Sequence, residues 1–331
     1  MKTNKIGYSL WLDFVERDFL KESFPGLIQE GTINGATSNP SIFANAIATS
    51  LAYAPQRETL SGATPKAKYE ALAIEDIRNA ALALRRSYDQ GSEGYISIEV
   101  DPFLANDTEE TLAEARRLFK TIDQPNVMIK IPATEAGYPV MEALLCDGIS
   151  VNATLVFSPQ QAQACLKAMK RGMDEFGNTG GERVEAVISV FVSRFDRMLD
   201  STLADHGLPV AQTGIMNAAA IYHMVEANRT PSVQTLFAST GVKGDDLPAD
   251  YYVQKLCAPH AINTAPLSTI EAALANTLPS ESKLPTPEAI EAYFGELEKA
   301  GIAMETVYDQ LLSEGLVAFE EAFAQMLKSL E

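Results

Sequence analysis

The sequence predicts an α/β fold in which eight parallel strands close into a (β/α)8 TIM barrel with additional helices. Two observations indicate this fold. Eight short runs rich in strand-forming residues alternate along the chain with segments of helical periodicity. Polar residues interrupt several of these apolar runs, mostly near their carboxyl ends, where the active sites of barrels lie. An open doubly wound sheet produces much the same alternation and stays a second possibility.

The predicted strands are short and well separated. They cover residues 8–14, 33–39, 94–100, 126–133, 150–157, 185–192, 234–240 and 260–266. Helical patterns fill the intervals between them. Asp107 and Thr108 have side chains typical of a helix start, and Ser158 followed by Pro159 marks another.

We expect residues 1–331 to form a single barrel domain, because no Pro/Gly-rich linker or low-complexity tract divides the chain. Residues 40–94 have the pattern of a helical insertion between the second and third strands. Residues 267–331 have the pattern of several helices packed on the outside of the barrel.

The composition restricts the partners of the protein. A formal charge of −18, from 44 acidic and 26 basic residues, repels nucleic acid and anionic membrane surfaces. An anionic ligand therefore needs a local cluster of cations. The 3 cysteines lack CxxC spacing and the 3 histidines form no pair, so we expect reduced thiols and no metal. The absence of a signal peptide and of a long apolar run predicts a cytoplasmic protein.

A set of polar residues interrupts or follows the strands. Its members are Asp13, Asn39, Glu99, Lys130, Asn152, Thr154, Ser189 and Arg194. Alternate strand residues point into a barrel, so these side chains can converge at its carboxyl-end mouth. Taken singly, each has a simpler explanation: Asn39 could cap a helix, and Arg194 could form a surface ion pair with Asp196. Buried together without a function, they would carry a large desolvation cost.

Lys130 is the hardest member of the set to explain by structure alone. Met128, Ile129 and Ile131 flank it in an apolar strand. An amine held among apolar groups loses its proton more readily than one in water, and a neutral amine can attack a carbonyl to form a Schiff base. This position therefore predicts a nucleophilic lysine.

The other polar residues complete the chemistry that a Schiff base needs. Asp13 and Glu99 are carboxylates that could exchange a proton with a substrate hydroxyl. The amide and hydroxyl side chains could orient the substrate, and Arg194 could hold a phosphate. The residues alone predict a Schiff-base lyase or transferase that acts on a polyol phosphate.

Five segments also resemble, in this order, the signature segments of the transaldolases. They are GATSNPSIF (35–43), ISIEV (96–100), MIKIPATEAG (128–137), GISVNATLVFS (148–158) and ISVFVSRFDRMLD (188–200). The resemblance implies a (β/α)8 barrel, no metal or organic cofactor, and transfer of a dihydroxyacetone unit between sugar phosphates. The implied reaction, in the non-oxidative pentose phosphate pathway, converts sedoheptulose 7-phosphate and glyceraldehyde 3-phosphate to erythrose 4-phosphate and fructose 6-phosphate.

The resemblance also implies catalytic roles, residue by residue. Lys130 matches the Schiff-base lysine of the transaldolases, and Asp13 matches their acid/base aspartate. Glu99 matches the glutamate that acts through a water molecule, and Thr154 the threonine that helps to hold that water.

The implied substrate-binding residues come from five further positions. Asn39 and Asn152 match asparagines that bind the dihydroxyacetone part. Ser189 and Arg194 match residues that line the site and bind phosphate. Lys243 is offered as a second phosphate-binding cation, although the match is loose and the loop that follows it is acidic.

Three other functions remain open. The first is a fructose-6-phosphate aldolase, which uses the same barrel and lysine but releases free dihydroxyacetone. Such enzymes have a shorter chain, with glutamine at the position of Glu99 and tyrosine at the position of Phe191, so both residues of this sequence favour the transferase. A sugar-phosphate-binding protein with a decayed site would not need the complete catalytic set. Residues 176–182 suggest a P-loop but lack its Gly-Lys-Ser/Thr ending.

The expected partners are sugar phosphates, and we expect a monomer or a homodimer.

Overall fold

Eight parallel strands close into a barrel in the computed structural model, which describes residues 6–181 and 183–331. The strands are Ser9–Asp13 (β1), Gly35–Thr37 (β2), Ile96–Glu99 (β3), Val127–Pro132 (β4), Val151–Val156 (β5), Ala186–Phe191 (β6), Val233–Ala238 (β7) and Ala261–Ala265 (β8). Each pairs with its neighbours in sequence, and β8 closes onto β1, with Leu10 opposite Asn263. The predicted (β/α)8 barrel is confirmed, and the open doubly wound sheet is wrong because β1 has a partner on both edges.

All eight predicted strands are present. Seven lie within their predicted bounds, and β7 begins one residue earlier than predicted. The predicted bounds are longer because the terminal residues of each apolar run enter the turns that connect strand to helix.

Fourteen helices surround the barrel within the described residues. They are Arg17–Glu22 (α1), Phe24–Gln29 (α2), Pro40–Thr49 (α3), Ala54–Thr59 (α4), Pro65–Asp89 (α5), Thr108–Ile122 (α6), Gly137–Cys146 (α7), Pro159–Asn178 (α8), Ser193–Asp205 (α9), Thr213–Ala227 (α10), Tyr251–Lys255 (α11), Leu267–Ala275 (α12), Pro287–Lys299 (α13) and Met304–Ser329 (α14). Asp107 caps α6, and Ser158 forms a reciprocal capping box with Gln161 at the start of α8, as their residue types predict.

Two segments predicted to carry extra helices do carry them, and two of these helices, which contain Ser41 and Phe319, contribute to the lining of the mouth. Residues 40–94 contain α3, α4 and α5, and α5 packs on β3 and α6 as a member of the outer ring. Residues 267–331 contain α12, α13 and α14, and α14 packs on α3, α5 and β5. The assignment of the whole chain to one domain stays a prediction.

The P-loop interpretation of residues 176–182 is wrong. Residues 176–178 form the last turn of α8, whereas a P-loop lies between a strand and the helix that follows it. Glu182, the last residue of the segment, lies outside the described residues.

None of the helices in the described ranges is both long enough and apolar enough to cross a bilayer.

The barrel interior has an apolar layer below and a polar layer above. Trp11, Met128, Val187, Leu236 and Ile262 belong to the buried cluster at the lower level. A side chain at Gly35 would collide with the indole, since an added Cβ would lie 2.6 Å from Trp11 Cε2. Two residues further along each of these strands, the inward positions carry mostly polar side chains. Apolar side chains therefore fill the lower part of the barrel, and the polar layer above them faces the open mouth at the carboxyl ends of the strands.

Candidate active site

A cavity of about 180 Å³ occupies the carboxyl-end mouth of the barrel. It is lined by Asp13, Thr37, Asn39, Ser41, Lys130, Thr154, Ser189, Phe191, Arg194, Ala238, Ser239, Thr264 and Phe319. Six of the nine predicted site residues are in this lining. The other three, Glu99, Asn152 and Lys243, lie elsewhere, as described below.

Lys130 reaches the cavity from the middle of β4 and is only 6 % exposed. Its Nζ donates a hydrogen bond to the carbonyl oxygen of Ser38 at 3.0 Å and lies 3.3 Å from Glu99 Oε2. Nζ also lies 5.9 Å from the centre of the Phe319 ring. The amine therefore has a carboxylate, a carbonyl and an aromatic face around it.

The apolar residues next to Lys130 in sequence do not surround its amine. Ile129 and Ile131 belong to the core shared by the strands and the outer helices, because their side chains point away from the barrel interior. Only Met128 shares the inward face, one layer below. The idea that these flanks form the environment of the amine is wrong, since the polar layer of the mouth forms it.

Asp13 lies at the end of β1 and opens onto the cavity. Thr37 Oγ1 donates to Asp13 Oδ1 at 2.6 Å and lies 2.6 Å from Thr264 Oγ1. Burial raises the pKa of Asp13 above its ordinary value, while the positive charge of Lys130 and the Thr37 hydrogen bond act against that rise. A carboxyl group that faces the cavity and is held by one hydroxyl can exchange a proton with a ligand.

Glu99 and Thr154 flank the amine in different ways. Glu99 Oε2 lies 3.3 Å from Lys130 Nζ, and Glu99 is not among the residues that line the cavity. Burial raises the pKa of Glu99, while the positive charge of Lys130 opposes the rise. Thr154 is fully buried, and its Oγ1 has no hydrogen-bond partner within residues 6–181 and 183–331. Because this hydroxyl also borders the cavity, it can bond a water or a substrate group there.

The two predicted asparagines occupy different levels. Asn39 caps α3, with its Oδ1 accepting from the Ile42 backbone N–H at 3.0 Å, and the side chain also lines the cavity. Asn152 lies beneath the cavity: its Oδ1 accepts from Ser189 Oγ at 2.6 Å and its Nδ2 donates to Ser97 Oγ at 3.1 Å. Asn152 thus fixes the orientation of Ser189, which is in the lining.

Arg194 enters the mouth from the first turn of α9. Its guanidinium lies 5.1 Å from the centre of the Phe191 ring. Burial and the neighbouring charge of Arg197 lower the pKa of Arg194, and Glu314 acts in the opposite direction. The cation can meet an anionic group at the rim of the cavity.

A surface ion pair between Arg194 and Asp196 does not occur. Asp196 is 2 % exposed and accepts hydrogen bonds from the Gly214 N–H at 3.0 Å and the Tyr252 hydroxyl at 2.8 Å. Burial raises the pKa of Asp196 to about 6.

Lys243 is exposed on the loop after β7 and is not among the residues that line the cavity.

Sequence reasoning missed five polar or aromatic members of the lining. They are Thr37, Ser41, Ser239, Thr264 and Phe319. Thr37 and Thr264 lie within predicted strands at positions that alternate with outward-facing residues, so strand periodicity alone could have identified them. Phe319 comes from α14, far along the chain, and no local pattern signals its position.

The barrel, its buried lysine and the carboxylates beside that lysine define the class of aldol-type enzymes that use a lysine amine. A family model described as Transaldolase/Fructose-6-phosphate aldolase matches residues 10–330, and the chain belongs to this family. A relative from Helicobacter pylori (strain P12), named Transaldolase, is 44 % identical over 326 residues, which cover 97 % of this chain and 99 % of the relative.

A second relative named Transaldolase comes from Campylobacter jejuni subsp. jejuni serotype O:23/36 (strain 81-176). It is 43 % identical over 332 residues, which cover 98 % of this chain and 99 % of the relative. The predicted family and the predicted enzyme class are confirmed.

Proposed function

We propose that the protein is a transaldolase that transfers a dihydroxyacetone unit from a ketose phosphate to an aldose phosphate. The donors would be sedoheptulose 7-phosphate and fructose 6-phosphate, the acceptors glyceraldehyde 3-phosphate and erythrose 4-phosphate, in the non-oxidative pentose phosphate pathway. The observation that carries this proposal is the amine of Lys130 in the mouth cavity, 3.3 Å from the Glu99 carboxylate, in a chain of this family.

The first step forms the Schiff base. Glu99 takes a proton from the Lys130 ammonium, and the neutral amine attacks the ketone carbon of the donor. Glu99 then returns the proton as the carbinolamine loses its oxygen as water, which leaves a protonated imine. The unpartnered hydroxyl of Thr154 is placed to bind this water.

The second step breaks a carbon–carbon bond. Asp13 takes the proton of the hydroxyl on C4, the far carbon of the C3–C4 bond that breaks, the aldose leaves with a new aldehyde at that carbon, and the bonding electrons move into the imine at C2 to give an enamine on Lys130. The acceptor aldehyde then adds to the enamine, Asp13 returns the proton, and water releases the new ketose. The protonated imine is the electron sink, so this route uses no metal or organic cofactor.

Substrate binding is assigned to the remaining polar groups. Asn39 and Ser189 contact hydroxyls of the dihydroxyacetone part, and Asn152 supports Ser189 through their hydrogen bond. Arg194 binds the phosphate at the rim of the cavity. Lys243, on the exposed loop after β7, remains the proposed second cation.

The setting of the reaction is part of the same proposal. We assign the protein to the cytoplasm because Cys146 and Cys165 are free thiols and sugar phosphates are intracellular metabolites. A monomer or a homodimer stays the expected form. The charge of −18 disfavours nucleic acid and anionic membrane surfaces as partners.

Borohydride reduction tests the proposal directly. With fructose 6-phosphate present, reduction should fix a three-carbon adduct on Lys130, because the enamine stage retains the dihydroxyacetone unit. Peptide mass spectrometry locates the adduct, and Lys170→Ala, at an exposed lysine, serves as the control that keeps it. Label on another lysine would remove Lys130 from the mechanism. Release of free dihydroxyacetone without an acceptor, at the rate of sugar consumption, would instead identify a fructose-6-phosphate aldolase.

Arg194→Ala should raise the KM for phosphorylated donors by about 10- to 100-fold, the effect of losing charge-assisted hydrogen bonds. The KM for the unphosphorylated donor fructose should change much less. Arg197→Ala, at an exposed arginine one turn further along α9, is the matched control. Equal effects on both donors would exclude Arg194 from phosphate binding; steady-state kinetics with the two sugars measures the difference.

A further inference from the structure

A buried glycine interrupts the last helix of the chain. Gly315 lies near the middle of α14 and is buried. Glycine destabilises the interior of a helix relative to alanine, because its backbone loses more conformational freedom on folding. The absence of a side chain at this position therefore calls for an explanation in the way that α14 packs.

Other side chains occupy the space that a side chain at position 315 would take. A Cβ atom added to Gly315 would lie 3.0 Å from Leu155 Cδ2 and 3.3 Å from Arg194 Nη1. Non-bonded carbon atoms normally stay about 3.5–4.0 Å apart, so these neighbours would have to move. α14 can thus approach β5 and α9 this closely because position 315 carries no side chain.

The contact with β5 comes from a bulge in that strand. Between Ala153 and Val156, β5 has one residue more than β6. Leu155 lies in this bulge with a φ of +56°, in the left-handed region that bulky residues rarely adopt. Its side chain joins the interior cluster that also contains Phe319 of α14. The bulge therefore closes the space beside Gly315 from the strand side.

The contact with α9 comes from the guanidinium of Arg194. Its central carbon lies 5.1 Å from the centre of the Phe191 ring, and its Nη1 lies beside Gly315. The negative charge of Glu314 acts on the same guanidinium and favours its protonated form. Because Arg194 lines the mouth cavity, these neighbours determine how its N–H groups face a ligand there.

The same face of α14 contacts the other cation in the lining of the mouth. Phe319 follows Gly315 by one helical turn, and its ring centre lies 5.9 Å from Lys130 Nζ. α14 thus borders the amine with an aromatic ring and the guanidinium with bare backbone. A change confined to position 315 therefore alters the surroundings of Arg194 and leaves the ring beside Lys130 in place.

We propose that Gly315 is a positioning residue for phosphate recognition, because the gap at this position lets Arg194 place its guanidinium against the phosphate of a donor sugar. The inference rests on the proposed function, in which Arg194 binds that phosphate. A guanidinium binds phosphate through N–H groups in a fixed planar arrangement, so its affinity depends on its orientation as well as on its charge. Gly315 thereby contributes to the preference for phosphorylated over unphosphorylated sugars.

Gly315→Ala tests the proposal with the smallest change of side chain. We expect the KM for fructose 6-phosphate to rise by about 3- to 10-fold, a part of the loss expected when the Arg194 charge is removed altogether. The KM for fructose, and kcat with either donor, should stay within about twofold of the wild type. Gly295→Ala is the matched control, because Gly295 also lies inside a helix, α13, and an added Cβ there meets no atom of another described segment within 4 Å.

A double variant measures whether the effect passes through Arg194. In the Arg194→Ala background, Gly315→Ala should change the KM for fructose 6-phosphate by less than about twofold, because the group that it displaces is gone. A full further increase in that background would overturn the proposal. So would a Gly315→Ala enzyme whose KM values for the two donors match those of the wild type or rise equally.

A second variant covers the case in which Gly315→Ala folds poorly, which thermal unfolding would reveal. Leu155→Ala removes the shortest contact of the added Cβ, so Leu155→Ala/Gly315→Ala relieves the crowding at β5 and keeps the contact with Arg194. Compared with Leu155→Ala alone, the double variant should still raise the KM for fructose 6-phosphate selectively, and the lack of a selective rise would refute the proposal. Failure of the proposed function is recognised separately, because the wild type would then trap no adduct with borohydride.

Discussion

Lys130→Ala should reduce transaldolase turnover by at least about 10⁴-fold, since without the amine no covalent intermediate can form. Arg194 is the other cation among the residues that line the mouth, and a guanidinium does not lose its proton to act as a nucleophile. Water alone cannot supply an electron sink for the carbon–carbon bond. The expected residual rate is therefore close to the background of the assay.

The fold should survive this change. Lys130 contributes one hydrogen bond, to Ser38, and its loss leaves Glu99 to take up a proton, because burial already favours the neutral carboxyl form. The circular dichroism spectrum and cooperative thermal unfolding check this point. Retained turnover in the folded variant would remove Lys130 from the mechanism, whereas Lys170→Ala at the surface should keep full activity.

The barrel could be predicted because most of its strands are short, largely apolar runs, as expected for parallel strands covered on both faces. The same alternation predicts which strand residues face the interior, and Asp13, Lys130, Thr154 and Ser189 do face it. Inward direction is thus a local property of the sequence.

Depth inside the barrel is not a local property. Asn152 and Thr154 lie on the same face of β5, yet Asn152 pairs with Val187 of the lower apolar layer, while Thr154 lies two residues higher. The relative shift of neighbouring strands therefore buries Asn152 below the cavity and leaves Thr154 at its wall. Sequence alternation gives no information on this shift.

Groups outside the strands are the least predictable part of the site. Lys243 follows β7 in an irregular loop, where spacing does not determine direction, and it is exposed. Phe319 reaches Lys130 only because α14 packs across α3 and β5. Both positions depend on tertiary packing between segments that are distant in the chain.

Asp13→Asn should lower kcat by about 10²- to 10⁴-fold, the usual contribution of a positioned acid/base group. The amide is close in size to the carboxylate and can still accept the hydrogen bond from Thr37 Oγ1, so the geometry of β1 should be retained. Schiff-base formation should also continue, because Lys130 and Glu99 are unchanged. Borohydride should therefore still trap an adduct, now with the whole ketose instead of its three-carbon part.

The pH profile gives a second test of Asp13, and its sign follows from the environment of the group. The reaction in the cleavage direction needs the carboxylate, and burial raises the pKa of Asp13 above its ordinary value of about 4. Activity should then rise with pH on an acid limb that lies above that value. Thr37→Val removes a hydrogen bond that lowers the pKa of Asp13, so the limb should move to higher pH while much of the maximal kcat remains. Two results would contradict this assignment: an acid limb that moves to lower pH in Thr37→Val, or an acid limb that persists unchanged in Asp13→Asn. Either would show that another group, with Glu99 as the first candidate, is the base for cleavage.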